Sequence, residues 1–392
     1  MHLFLNALAA SAGGGLTYIR NVLPQLAATP DLRATVAVNS TLRNEFSVGS
    51  GVDFLGLDVP PARRFWYEQA TLPGLIRRSR ADVLVSAGNF SIRRSPVPQI
   101  LLSRNSIYIS ADYYRDLLLR HEYRMWLETR LRSILAKRSV YWADATVAPS
   151  QAFADELRRW TGVPIVAIHH GFGRESFACD SSPLSTEIQD KLVAAQGSIK
   201  LLFVSHYNYY RNFETLIRAL PLLRSALKQR PVRLLLTCQL AAGKNPGAYH
   251  PEGAAALIRS LGVSDMVVEL GAIPYPQLHR IYAAADVYVT PAYTETFAHP
   301  LLEAMSSGVP VIASDLAVHR EICGPAALYF ERFSPQDLAA RVMQLVQSPE
   351  MRQSMIAAGL KRSSDFSWSA HVAQILALSQ TLISAKGAPP TT

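Results

Sequence analysis

The chain has 392 residues, 49% hydrophobic and 18% charged, a balance that builds a packed protein of about two ordinary domains and excludes a disordered or collagen-like one. No run approaches the roughly 20 apolar residues of a membrane-spanning helix. Net charge is +9. All of the excess lies between Arg63 and Arg138, where fifteen Lys/Arg stand against six Asp/Glu; such a block suits an anionic neighbour or a solvated basic face.

The N-terminal stretch lacks a basic n-region and breaks at Gly13-Gly14-Gly15, so it reads as a first strand, Leu3–Ala7, and not as a signal peptide. Ser11–Thr17 reads as a glycine-rich loop opening a helix, Leu16–Ala28; glycines there let a backbone approach a ligand closely. Runs at 35–38, 53–57, 82–86, 99–103 and 145–148 read as strands, and Phe65–Arg78 and Gln151–Thr161 as helices. Arg115–Ser139 reads as one long helix with a basic surface. Residues 179–197 are small and polar, and read as a linker.

The pattern then restarts, with a strand at Lys200–Ser205, a loop at His206–Asn212 and a helix at Phe213–Leu227. Strands at 232–238 and 267–270 follow. Alternation of this kind argues for parallel sheets covered by helices. The last helix, Ala370–Ser384, is apolar on most sides, which fits burial. Lys386–Thr392 reads as a tail.

Cys179, Cys238 and Cys323 show no CxxC or metal spacing and read as reduced cytosolic thiols. No Asp-x-Asp loop or His/Cys cluster suggests a metal site.

The stretch from Asp286 to Asp315 carries the most chemistry. It reads strand, loop, helix, turn, strand. Pro300 suits a helix start, and Gly308 and Pro310 stop the helix. Glu295 precedes the helix and Glu303 is placed in its first turn. Between them lie N–H groups with no helical partner, at the positive end of the dipole, where phosphate binds well. Carboxylates beside a phosphate would repel it, so they fit hydroxyls better. Phosphate on N–H groups with hydroxyls on carboxylates describes a sugar nucleotide.

Taken together, Thr-Glu295-Thr-Phe, Pro300, Leu-Leu-Glu303-Ala-Met and Gly308-Val-Pro-Val-Ile-Ala-Ser resemble the retaining GT-B glycosyltransferases of the "group 1" or GT4 family. The resemblance covers about residues 198–370 and, more faintly, the N-terminal half. It implies an α/β GT-B fold of two Rossmann-like domains facing across a cleft. Residues 1–175 would form the acceptor-side domain, joined by the C-terminal helix 370–385. Residues 176–197 would be the linker, and 198–369 the donor-nucleotide domain.

By the same resemblance Glu303 would hold ribose hydroxyls. Glu295, with the N–H groups of Thr296, Phe297 and Ala298, would hold the transferred sugar and diphosphate. The family's Gly-Arg-x(3–5)-Lys loop corresponds to His206 through Arg211-Asn212, so leaving-group stabilisation would fall to Arg211, with His206 at the other cationic position. Gly14 and Gly15 would face the donor phosphates, and Ile273 and Tyr275 the nucleobase. Many relatives carry a His after an N-terminal-domain strand; here Asn105 stands in its place.

These residues lead to a metal-independent, cofactor-free hexosyl transfer from a nucleotide diphosphate sugar. The acceptor would be a glycan or a lipid-linked hydroxyl in cell-surface glycan synthesis. The chain would then be cytoplasmic, peripheral on the inner face of the plasma membrane, with the basic segment meeting an anionic membrane surface. A sugar-nucleotide epimerase and a non-catalytic sugar-nucleotide or glycan binder remain as other readings. Nucleic acid is set aside because the basic segment lacks interleaved stacking aromatics on a recognisable module.

Overall fold

Strands in this chain are short, rich in Val, Leu and Ile, and separated by helices. That combination forces parallel pairing with helices on both faces. The computed structural model describes residues 1–10, 13–43, 45–46, 51–180 and 182–387. It divides into two units: residues 1–109, 121–171 and 367–392 form one, and 110–120 and 172–366 the other.

The first unit is built on a seven-stranded sheet of order β3-β2-β1-β4-β5-β6-β7. Its strands are β1 (His2–Asn6), β2 (Arg33–Asn39), β3 (Val52–Leu57), β4 (Val83–Ser86), β5 (Gln99–Leu102), β6 (Ala145–Ala148) and β7 (Val166–Ala167). Every pairing is parallel. The alternation of β1 divides its side chains between two cores. Leu3 and Leu5 face one core with Trp368, Val372 and Ile375, while Phe4 faces another with Leu72 and Ile76. The C-terminal helix, Trp368–Gly387, therefore belongs to this unit. Gly171 is required by its approach to that helix, since a Cβ there would lie 2.0 Å from the Trp368 nitrogen.

The second unit has a six-stranded sheet of order β10-β9-β8-β11-β12-β13. Its strands are β8 (Ile199–Phe203), β9 (Val232–Leu236), β10 (Val267–Glu269), β11 (Val287–Thr290), β12 (Val311–Ser314) and β13 (Ala327–Phe330). All pairings here are parallel too. Each sheet runs outward in both directions from its first strand, the doubly wound order, which opens a crevice at the carboxyl ends where the direction reverses. These are the two Rossmann-like sheets of a GT-B fold.

Several elements differ from the sequence reading. The three glycines are not a loop but the start of the helix Gly13–Ala27; Ser11, Ala12 and residues 388–392 of the expected tail lie outside the described residues. Arg115–Ser139 is not one helix. It is Ala111–Leu119 and Tyr123–Trp142, broken at His121, whose φ is +60°. The first of these packs with the second unit, held by Arg332 to Asp112, Arg120 to Glu214 and Tyr293 to Asp116. Residues 176–197 lie within the second unit and carry the helix Thr186–Ala194.

Candidate active site

In the second unit the reversal of strand order falls between β8 and β11. The loop after β8 closes in a 3-10 turn, Tyr209–Arg211, and Asn212 follows in the left-handed region, φ +54°. Asn212 pins that loop to its neighbours. Its amide donates to the carbonyls of Pro291 (3.0 Å) and Arg332 (2.6 Å), and its carboxamide oxygen accepts from the Thr215 hydroxyl (2.9 Å). Arg211 is thereby aimed at the loop after β11, where its guanidinium donates to Glu295. The Arg211 Nε is buried without a hydrogen-bond partner, a donor with its capacity unspent.

Glu295 also accepts from the Thr296 N–H at 3.0 Å. Burial works to raise its pKa, but the Arg211 charge and the Thr296 N–H outweigh it and hold the carboxylate below its ordinary range. His206 is exposed, and desolvation, with the nearby Arg211 charge, pushes its pKa below the usual value. That direction favours the uncharged ring, and the fixed cation of this site is Arg211.

Ala298 precedes the helix His299–Ser306 with φ +64° and ψ +67°. Such a conformation is strained for alanine, and it turns the chain sharply into the helix start. Phe297 is buried, its ring 5.7 Å from Phe366, so only its backbone is available to a ligand. Glu303 lies in the second turn of this helix, not the first, because the helix begins at His299. Its carboxylate is 4% exposed and accepts from the Tyr282 hydroxyl at 2.8 Å. The Tyr275 hydroxyl is a second partner. Burial dominates, and the Glu303 pKa is pushed up to about 7. Ile273 is half-buried on the loop after β10, which turns at Gly271 with φ +80°.

Arg211, Glu295, Thr296 and His206 thus gather in one cluster. Glu303 forms another with Tyr275 and Tyr282, which come from the turn Tyr275–Gln277 and the helix Leu278–Ala284. A cavity of about 820 Å³ in this unit is lined by Arg115, Glu214, Arg218 and Leu257; none of Arg211, Glu295 and Glu303 is among its lining residues.

Three expected residues belong to the first unit. Gly14 and Gly15 supply N–H groups of the first helical turn after β1. A Cβ on Gly15 would come 3.3 Å from the Ala10 Cα. The Asn105 side chain accepts from the Ile107 N–H at 3.3 Å, capping the turn Ser106–Tyr108. Its amide NH2 is then the part left for a ligand.

Sequence reasoning missed three side chains. Tyr282 is the partner of Glu303. His319 is fully buried; its Nδ1–H donates to the Ser314 carbonyl at 2.9 Å, which leaves Nε2 as a buried acceptor without a partner. Burial lowers its pKa, and the Glu295 and Arg211 charges reach it with opposite signs. Arg104, at the end of β5, lies 4.5 Å over the Tyr18 ring and donates to the Ala87 carbonyl, with Nε unpartnered. The Ser314-x4-His319 spacing was a usable signal; the other two depend on folding. Among the described residues no group of three or more His, Cys, Asp or Glu is placed to hold a metal.

Residues 12–175 match the family model described as Glycosyltransferase Family 4, and residues 185–362 that described as Glycosyl transferases group 1. The chain belongs to this family of glycosyltransferases. It is similar to the D-inositol 3-phosphate glycosyltransferase of Corynebacterium aurimucosum, 29% identical over 258 residues, which is 63% of this chain and 59% of that one. The match spans less than two thirds of that relative. Among solved structures, sucrose-phosphate synthase from Thermosynechococcus elongatus superposes with a TM-score of 0.75 at 19% identity, covering 98% of this chain and 100% of that one. Anabaena HepE, in a complex with UDP-glucose, gives 0.69 at 17% identity, covering 97% and 100%.

Proposed function

We propose that this protein transfers a hexose from a nucleotide diphosphate sugar to a hydroxyl acceptor, with retention at the anomeric carbon. The observation that carries the reading is the Arg211–Glu295 pair at the point where strand order reverses, beside the strained entry into the Glu303 helix. Family membership and the UDP-glucose complex of a protein of the same fold support it.

In this reading the diphosphate lies against the N–H groups of Phe297 and Ala298, which lead into the helix at His299, and takes the Arg211 charge. Glu295, released from Arg211, accepts sugar hydroxyls, and Glu303 accepts those of the ribose. In this reading neither carboxylate acts as a nucleophile: Glu295 accepts from the Thr296 N–H and the sugar hydroxyls, and Glu303 from the Tyr282 hydroxyl and the ribose. Front-face attack follows. The anomeric carbon–phosphate oxygen bond breaks, the acceptor oxygen bonds to the same carbon, and the acceptor proton passes to the departing phosphate oxygen. Positioning and a fixed cation supply the acceleration, so the reaction is metal-independent.

The acceptor is a glycan or lipid-linked hydroxyl at the inner face of the plasma membrane, an assignment supported by the basic segment 63–138. No helix among the described residues is long and apolar enough to cross a membrane.

A thermal-shift screen of UDP-, GDP- and ADP-hexoses tests donor binding. Incubation of the stabilising donor with and without acceptor then tests transfer. Release of nucleoside diphosphate supports the reading. A changed sugar with no acceptor would establish an epimerase, and binding with no turnover a non-catalytic binder.

A further inference from the structure

The helix Tyr123–Trp142 is inverted. Its buried residues include Thr129, Ser133, Ala136 and Ser139, small or hydroxyl side chains three or four apart on one face. Two of them bond inward: the Ser133 hydroxyl donates to the Tyr108 carbonyl at 2.7 Å, and the Ser139 carbonyl accepts from the Ser91 hydroxyl at 2.6 Å. Tyr123, Leu127, Leu131, Ile134 and Tyr141 are each more than half exposed. At 100° per residue they fall on one stripe opposite the buried face. Single exposed apolar residues are unremarkable, but a contiguous stripe of large ones needs a partner.

Charge identifies that partner. Arg124, Arg130, Arg132, Lys137 and Arg138 share the helix with a single acid, Glu128. The Arg124 and Arg132 side chains are 93% and 64% exposed. A second copy docking the same stripe would bring five cations against five, which disfavours a symmetric pair. An anionic bilayer accepts both components, with the leucines in the acyl boundary and the cations among the headgroups.

We infer that the Tyr123–Trp142 helix lies in the surface of an anionic membrane and inserts Leu127, Leu131 and Ile134 into it. The inference rests on the membrane-facing part of the proposed function and adds insertion to charge attraction.

The test is flotation of the full chain on equimolar phosphatidylglycerol/phosphatidylcholine vesicles and on phosphatidylcholine alone. It compares wild type with L127S/L131S/I134S and R124Q/R132Q/R138Q. All six positions are exposed or on the exposed side, so folding is preserved and far-UV circular dichroism checks it. Wild type should float on the anionic vesicles. The apolar variant should partition on the order of 100-fold more weakly although its charge is unchanged.

If the apolar variant floats like wild type while the arginine variant does not, insertion is overturned and charge-driven membrane approach stands. If wild type floats on neither vesicle, the membrane reading itself falls. If wild type fails to float and is a dimer that the apolar variant splits, the stripe is a self-association face and the inference is overturned. Donor binding, measured separately, keeps the transferase reading distinct from all of these.

Discussion

Glu303 gives the sharpest test of the site. Its pKa is pushed from 4.5 to about 7 because burial outweighs two tyrosine hydroxyls. At about 1.36 kcal/mol per unit, ionising it inside the protein costs roughly 3 kcal/mol more than in water. Ribose hydroxyls donating to the carboxylate favour the charged form, and hydrogen bonds to a charged group contribute about 1.5–3 kcal/mol each. Donor binding should therefore draw the pKa back down and release about half a proton at pH 7. If only ionised Glu303 binds donor, affinity rises about tenfold from pH 6 to pH 8 and levels off above that.

Calorimetric titration of UDP-glucose, GDP-mannose and ADP-glucose, in phosphate and in Tris, reads both quantities. Glu303→Gln should abolish the proton release and flatten the pH profile. Tyr282→Phe removes a bond that favours the charged form, so its profile should shift to higher pH. Tight binding that is flat from pH 6 to 8, with heats independent of buffer, would refute the assignment of Glu303 to donor hydroxyls.

The remaining predictions concern the cation, the metal and the packing of the first unit. Arg211→Ala should lower turnover by about 10²-fold or more, and Arg211→Lys should recover part of it; normal turnover in the alanine variant removes Arg211 from the mechanism. Excess EDTA should leave the rate unchanged, and a loss restored by Mg²⁺ would reject the metal-independent scheme.

His371 is buried, accepts from the Tyr18 hydroxyl at 3.0 Å, and has its pKa lowered from 6.5 to about 4 chiefly by desolvation. The folded state therefore prefers the neutral ring. Its contribution is fully present above pH 6.5 and is lost as pH falls towards 4, amounting to about 3 kcal/mol. Chemical-denaturation midpoints should fall over that window in wild type and less in His371→Gln; identical slopes would count against it. Gly171→Ala should destabilise by ~3 kcal/mol or more, because its Cβ would meet the Trp368 backbone; an unchanged melting temperature would contradict that packing.

The loop, helix and turn around Glu295 and Glu303 were legible because each step is a local rule. Pro300 fits a helix start, Gly308 takes a positive φ at the helix end, and β-branched runs make buried strands. Alternation of strands and helices likewise gave two parallel sheets. The break at His121 was not legible, since the residues on either side all favour helix. What divides them is a set of distant contacts, Arg120 to Glu214 and Arg332 to Asp112.

Local sequence thus determined most of the elements, the family's motifs and the location of the helix start after Glu295. Tertiary structure decided the chemistry of the side chains. It placed Arg211 on Glu295, although they are 84 residues apart, surrounded Glu303 with tyrosines, and turned the apolar side of the Tyr123–Trp142 helix outward. The physical reason is that ionisation and burial depend on what surrounds a group in space. Solvent exclusion and neighbouring charge act over a few ångströms, and only folding brings such neighbours together.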